Sequence, residues 1–232
     1  MRKFSLSKQF QTNPPITSRV STVMRMFGLT LDRLKNAASI HKAVLEVREG
    51  DIVYITGPSG SGKSVLLREL LNEIPAGERI SIDEIELPAD RAAVDCIHFG
   101  QTGQTCLTGQ TKALSTVETL RLLSICGISD AFCMLIPPAN LSEGQKYRFR
   151  LACCLASGKK YVFADEFASS LDRITAAVIA YNVRKFAKRT GVTFVLASSH
   201  EDILADLQPD VLVVNNFASF AEVLYKKLRT KN

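Results

Sequence analysis

Residues 57–64 read GPSGSGKS, a G-x-x-x-x-G-K-[ST] pattern with Gly57, Gly62, Lys63 and Ser64 in its fixed places. Glycine lets a backbone turn tightly and come close to an anion. Backbone N–H groups at the start of a helix then favour phosphate. Gly57, Pro58, Ser59, Gly60, Ser61, Gly62, Lys63, Ser64 and Val65 therefore form a candidate phosphate-binding loop. In such a loop the lysine reaches β- and γ-phosphates and the serine hydroxyl serves Mg²⁺. The second chemical pattern is YVFADEF at 161–167, where an apolar run delivers Asp165 followed at once by Glu166. A carboxylate at a strand end sits where open α/β sheets bind ligands. Asp165 can hold Mg²⁺, directly or through water, and Glu166 is free to orient or deprotonate an attacking water. Together the two patterns imply a nucleoside triphosphate, a magnesium ion and phosphoryl transfer to water.

These residues need a strand before the loop and a helix after it. Residues 52–55 (IVYI) are apolar and β-branched or aromatic, which suits a buried strand. Residues 64–74 place Val65, Leu66, Leu67, Leu70, Leu71 and Ile74 on one broad helical face, and PAG at 75–77 stops it. The stretch 44–47 predicts a strand turning through REGD into 52–55. RISIDEIEL at 79–87 alternates and predicts an exposed strand, and VDCIHF at 94–99 a buried one. Ser115 and Glu118 form a capping box that opens a helix to about residue 125. Helices are also predicted at 17–27, 142–157, 172–189 and 218–228, and strands at 161–165, 192–198 and 210–215. Strands alternating with helices predict an α/β fold on a mainly parallel sheet.

The chain has 232 residues, enough for one medium domain with a small subdomain, and 46% hydrophobic residues allow a substantial core. Residues 1–16 read as a flexible lead ending in NPP. No apolar stretch approaches the roughly 18–20 residues that span a bilayer. The basic start, MRKFSLSKQFQ, lacks the apolar segment of a signal peptide, so a cytoplasmic location is expected. Six cysteines show neither C-x-x-C nor zinc spacing and read as small buried hydrophobes. The net charge of +6 gathers at Lys146, Arg148 and Arg150, at Arg184, Lys185, Lys188 and Arg189, and near the C-terminus. Such clusters read first as solvated helix faces and second as contacts to nucleic acid.

A third pattern, LSEGQKYRFRLA at 141–152, places a serine hydroxyl and backbone amides at a helix start. With the first two patterns in this order, the chain resembles the ABC (ATP-binding cassette) ATPase family over roughly residues 43–215. The resemblance implies a P-loop NTPase fold: a mainly parallel sheet core, an antiparallel β element and a small helical signature subdomain at about 102–158 of an ATPase domain spanning 17–232. It implies ATP and Mg²⁺ as ligands and an ATP-dependent head-to-tail homodimer. Ser142, Gly144 and Gln145 of one copy would complete the site of the other. Glu143 stands where that signature usually has glycine, and a carboxylate there bears on binding or turnover. By the same resemblance, Gln101 contacts metal and water, with Gln104 and Gln110 as nearby alternatives. Asp172 in SSLD lies near the dimer interface, and His200 contacts the γ-phosphate.

The sequence departs from transporter cassettes in four places. No aromatic residue stands at the expected distance before the loop, leaving Phe27 or the apolar residues of 17–27 to meet adenine. The stretch from Gln101 to Leu141 is short, DEFASSLDR lacks the usual proline, and the end lacks a glycine turn and following strand. SRVSTVMRMFGL, LSEGQKYRFRLA and DEFASSLDRITA resemble stand-alone ABC-type ATPases of the kind fused to a predicted acetyltransferase domain. The expectation is therefore a stand-alone ATPase driving a nucleic-acid or protein partner. The ATPase subunit of a membrane transporter is the alternative.

Overall fold

Short β-branched runs become the middle of one six-stranded sheet. In the computed structural model, which describes residues 1–10, 15–30, 39–98, 114–216 and 220–226, the strand order is β4-β5-β6-β3-β7-β8. The strands are β3 (Ile52–Thr56), β4 (Arg79–Ser81), β5 (Tyr161–Ala164), β6 (Thr193–Ala197), β7 (Val211–Val214) and β8 (Glu222–Tyr225). All neighbours are parallel except β7 and β8, which are antiparallel. β3, β5 and β6 read as unbroken apolar runs because both faces of a parallel sheet are covered.

Alternate residues of β3 feed two cores. Ile52 and Tyr54 pack with α5 (Glu143–Ala156) and α6 (Arg173–Thr190) on one face. Val53 and Ile55 pack with Leu66, Leu67 and Leu70 of α2 (Lys63–Asn72) on the other. A second sheet lies beyond α2. β1 (Arg2–Phe10) and β2 (Ser39–Val47) pair antiparallel along nine residues, and Phe4, Leu6, Ala43, Leu45 and Val47 close over the helix. α2 is thus held between two layers of strand, which is what fixes the loop preceding it. β8 joins the layers: Ala221 N donates to Lys42 O at 2.8 Å, and the Tyr225 hydroxyl accepts from Glu46 N at 2.9 Å.

Several expectations need correction. Within the stretch expected to be a flexible lead, Arg2–Phe10 form strand β1 instead and bury Phe4 and Leu6. The exposed strand at 79–87 is instead three residues of partly to fully buried strand, followed by a 3-10 turn at Ile82–Glu84. Ser81 and Glu84 form a capping box there, and that local closure outcompetes extension. Ala93–Cys96 is likewise a 3-10 turn rather than strand. The helix expected at 218–228 is replaced by β8, so the chain does carry the strand whose lack was counted as a departure. The predicted helices near 17–27, 64–74, 115–125, 142–157 and 172–189 are present as α1 (Ser18–Met26), α2, α3 (Thr116–Ile125), α5 and α6. Two short helices, α4 (Ala131–Leu135) and α7 (Leu204–Leu207), complete the described α-helices.

Candidate nucleotide site

The loop's shape follows from its glycines. Gly57, Gly60 and Gly62 all have positive φ, at 143°, 78° and 93°. A side chain at Gly57 would collide with the Asn215 carbonyl oxygen, and one at Gly62 with the His41 ring. The loop is tied to the end of β7: Asn215 N donates to Thr56 O at 2.9 Å and Asn215 Nδ2 to Ser61 O at 2.6 Å.

Lys63 is buried, and its ammonium donates to the carbonyls of Gly57 and Pro58 at 3.0 and 3.1 Å. Gly62 stands at the N-cap of α2, and no side chain caps the helix. Its first amides are therefore left for a ligand. The Ser61 hydroxyl is buried with no hydrogen-bond partner among the described residues. A cation held inside the loop, uncapped amides and an unsatisfied hydroxyl suit a polyphosphate. His41, Ser59, Gly60, Gly62, Lys63, Ser64, Val65 and Glu166 line one cavity of about 430 Å³.

Glu166 reaches that cavity because the chain turns abruptly after β5. Glu166 and Ala168 both take positive φ, at 46° and 60°. The turn is over-determined, as strained backbone must be. Phe167 N donates to Ala197 O, Ala168 N to the buried Tyr147 hydroxyl of α5 at 3.0 Å, and Glu166 N to Asp165 Oδ1 at 3.0 Å. Burial pushes the Tyr147 hydroxyl well above the ordinary tyrosine range, so it stays neutral. Asp83 lies near Asp165: burial, then the Asp165 charge, raises its carboxyl above the usual range. Among the described residues no three-ligand cluster exists. Magnesium does not need one, since it is commonly held by one or two carboxylates plus substrate phosphates. Ser64 lines the loop cavity, and Asp165 follows the end of β5 directly before Glu166, which lines it too.

His200 lines a different, neighbouring cavity with Ala168, Leu171, Arg173, Asp202 and Ile203. Its backbone is held on both sides: the Tyr54 hydroxyl donates to His200 O, and His200 N donates to Ser198 Oγ at 3.2 Å. Burial pushes Tyr54 up to about 12, which keeps that donor protonated.

The third pattern does not border the loop cavity. Ser142 caps α5 in a reciprocal box, with Gln145 N donating to Ser142 Oγ at 3.4 Å and Ser142 N to Gln145 Oε1 at 2.9 Å. Gly144 packs beside Ser170 and Leu171. Glu143 is exposed and paired with Lys146 at 2.8 Å, and that ammonium holds its carboxyl below the usual range. Asp172 caps α6 by accepting from Thr175 N at 2.9 Å. Gln101, with Gln104 and Gln110, lies outside the described residues.

Sequence reasoning missed His41, Asn215 and Asp83, which belong to no motif and meet the site only through the fold. Phe27 is 74% exposed, and no residue of α1 lines the loop cavity. Part of the basic clusters is spent internally. Arg148 binds the carbonyls of Gly144 and Gly127, Arg150 that of Ile85, and Lys188 pairs with Asp210. Among the described residues no helix is long and apolar enough to cross a membrane.

The family model described as "ABC transporter" matches residues 40–169. The methionine import ATP-binding protein MetN of Mannheimia succiniciproducens is 28% identical over 217 residues, covering 84% of this chain and 61% of the relative. That of Brucella abortus is 29% identical over 228 residues, covering 88% and 59%. The chain thus spans about three fifths of the length of these relatives. Among solved structures, a dimeric ATP-binding cassette in a post-hydrolysis state bound to ADP and Pi superposes with a TM-score of 0.61 at 21% identity, covering 83% of this chain and 93% of that one. These likenesses correct one expectation: the relatives found are ATP-binding proteins of importers, not stand-alone ATPases fused to an acetyltransferase. With more than half its length matched by the family model, the chain belongs to the ABC transporter family, whose cassettes bind ATP with Mg²⁺ and hydrolyse it.

Proposed function

We propose that this chain is the ATPase subunit of a membrane importer assembled from separate polypeptides. The observation that carries this reading is the likeness to methionine import ATP-binding proteins over more than four fifths of the chain. A second supports it: α4 presents Phe132 and Leu135, 80% and 67% exposed, beside the helix that bears LSEGQ. Gln145 Nε2 reaches Cys133 Sγ of α4 at 3.1 Å, so this apolar surface is tied to the signature turn. A membrane subunit seated there would act directly on that turn. The relatives' solute, methionine, is the first to test.

In the proposed cycle ATP lies in the loop with its phosphate charge met by Lys63 and the α2 amides. Ser64 and Asp165 would hold Mg²⁺, which would neutralise phosphate charge, and Gln101 is assigned to the same metal. Glu166 orients the attacking water, and His200 senses the γ-phosphate from its own strand end. Ser142, Gly144 and Gln145 close on the phosphates of a second copy, so each site is shared by two subunits. A carboxamide cannot take the water's proton. Glu166→Gln should lower turnover on the order of 100-fold or more and accumulate an ATP-bound dimer in gel filtration. Only monomer with Mg-ATP would exclude the shared site. Phe132→Asp should abolish co-purification with a multi-span membrane protein while leaving that dimer intact. Retained co-purification would remove α4 from the interface.

A further inference from the structure

The strand roofing the phosphate loop carries a histidine that no motif predicts. β2 turns Ala43, Leu45 and Val47 inward, and the same face runs back to His41, which is only 9% exposed. Its imidazole rests on Gly62, where a Cβ would run into Cε1, with Nδ1 and Nε2 next nearest. The same ring lines the loop cavity with Ser59, Gly60, Lys63, Ser64 and Glu166.

Packing alone does not need an imidazole here. An aliphatic side chain would cover Gly62 equally well and continue the apolar pattern of β2. What imidazole adds is an N–H donor on the wall of a cavity built for anions. Two cations stand nearby: Lys63, which keeps its role toward phosphate, and Lys8 of β1. Lys63 is engaged by Gly57 and Pro58, and Lys8, paired with His41 across the hairpin, is bound to Glu69 at 3.0 Å. Glu166 is the carboxylate on the cavity wall.

We infer that His41 is a nucleotide-binding residue: its imidazole donates to the polyphosphate chain while the ring face holds Gly62 in place. The inference rests on the Mg-ATP reading above and adds a phosphate ligand supplied by the antiparallel hairpin rather than by the loop.

The chain has three histidines, so ring-nitrogen NMR of the full-length protein is tractable, with His41 assigned by His41→Gln. ADP and pyrophosphate should each shift the His41 ring nitrogens, and adenosine should not. An unmoved His41 ring with ADP bound overturns the inference, as does an equal shift with adenosine. Calorimetry run in parallel separates the two failures: if ADP does not bind, the Mg-ATP reading falls and takes this inference with it. His41→Leu keeps the bulk over Gly62 and should weaken ADP binding about tenfold, since hydrogen bonds to charged groups are worth that much. His41→Gln, which keeps a donor, should lose less. Wild-type affinity in a folded His41→Leu protein would reduce the ring to packing.

Discussion

The two helix starts that carry the family's phosphate chemistry are built in opposite ways. α2 begins at Gly62 with no side-chain cap and with Lys63 drawn into the loop. α5 begins at Ser142 with a complete capping box, and even Glu143 is occupied by Lys146. The first is an anion site that waits. The second satisfies the amides of Ser142 and Gln145 by itself, and in the proposed cycle those internal hydrogen bonds would be given up for a phosphate. This difference suits a cassette in which nucleotide first binds one subunit and the second subunit engages afterwards. A cap contributes roughly 1 kcal/mol, so exchanging it for charged phosphate oxygens is favourable only when the partner is in place.

Three substitutions would break or sharpen that contrast. Lys63→Ala attacks the waiting end and should weaken ATP binding on the order of 100-fold, measured by calorimetry on the monomer. Binding close to wild type would mean the ammonium is not the loop's main cation. Ser142→Ala attacks the closed end. Thermal unfolding should register the lost cap, about 1 kcal/mol, and turnover should fall while monomer affinity for ATP stays unchanged. A change in monomer affinity would show that the two ends are not separate. Glu143→Gly restores the glycine usual in the family. Its salt bridge is exposed, so turnover should move by no more than about fivefold, with slightly lower thermal stability because glycine is a poor helix former. A larger gain in turnover would identify Glu143 as a brake on the signature end.

The loop and its flanking strand and helix were legible because their signals are local: glycine spacing, an apolar run, a 3.6-residue stripe. The cap at Ser115 and the helix starts at Ser142 and Asp172 were legible for the same reason. β1 was not, although Phe4 and Leu6 alternate with polar residues as a half-buried strand should. A strand without its partner is poorly specified by propensity, and β1's partner lies beyond some thirty residues of intervening chain. β8 failed differently. Most of its side chains are exposed, and AEVLYKK suits a helix until pairing with β7 decides otherwise. At 79–87 the signal was present and was misread: Ser81 and Glu84 stand at capping-box spacing. His41 and Asn215 could not have been picked out, because nothing in their neighbourhood along the chain points to the loop.

The tie from Asn215 to Ser61 has a consequence for how the protein is made. β3 pairs with β6 and β7, which follow it by well over a hundred residues, and Asn215 anchors the loop only after β7 is laid down. As the polypeptide leaves the ribosome, GPSGSGKS emerges early but has no sheet to hold it. Nucleotide capture should therefore switch on late in synthesis, and a nascent chain stalled before residue 215 would carry the whole glycine motif without the ability to grip a phosphate.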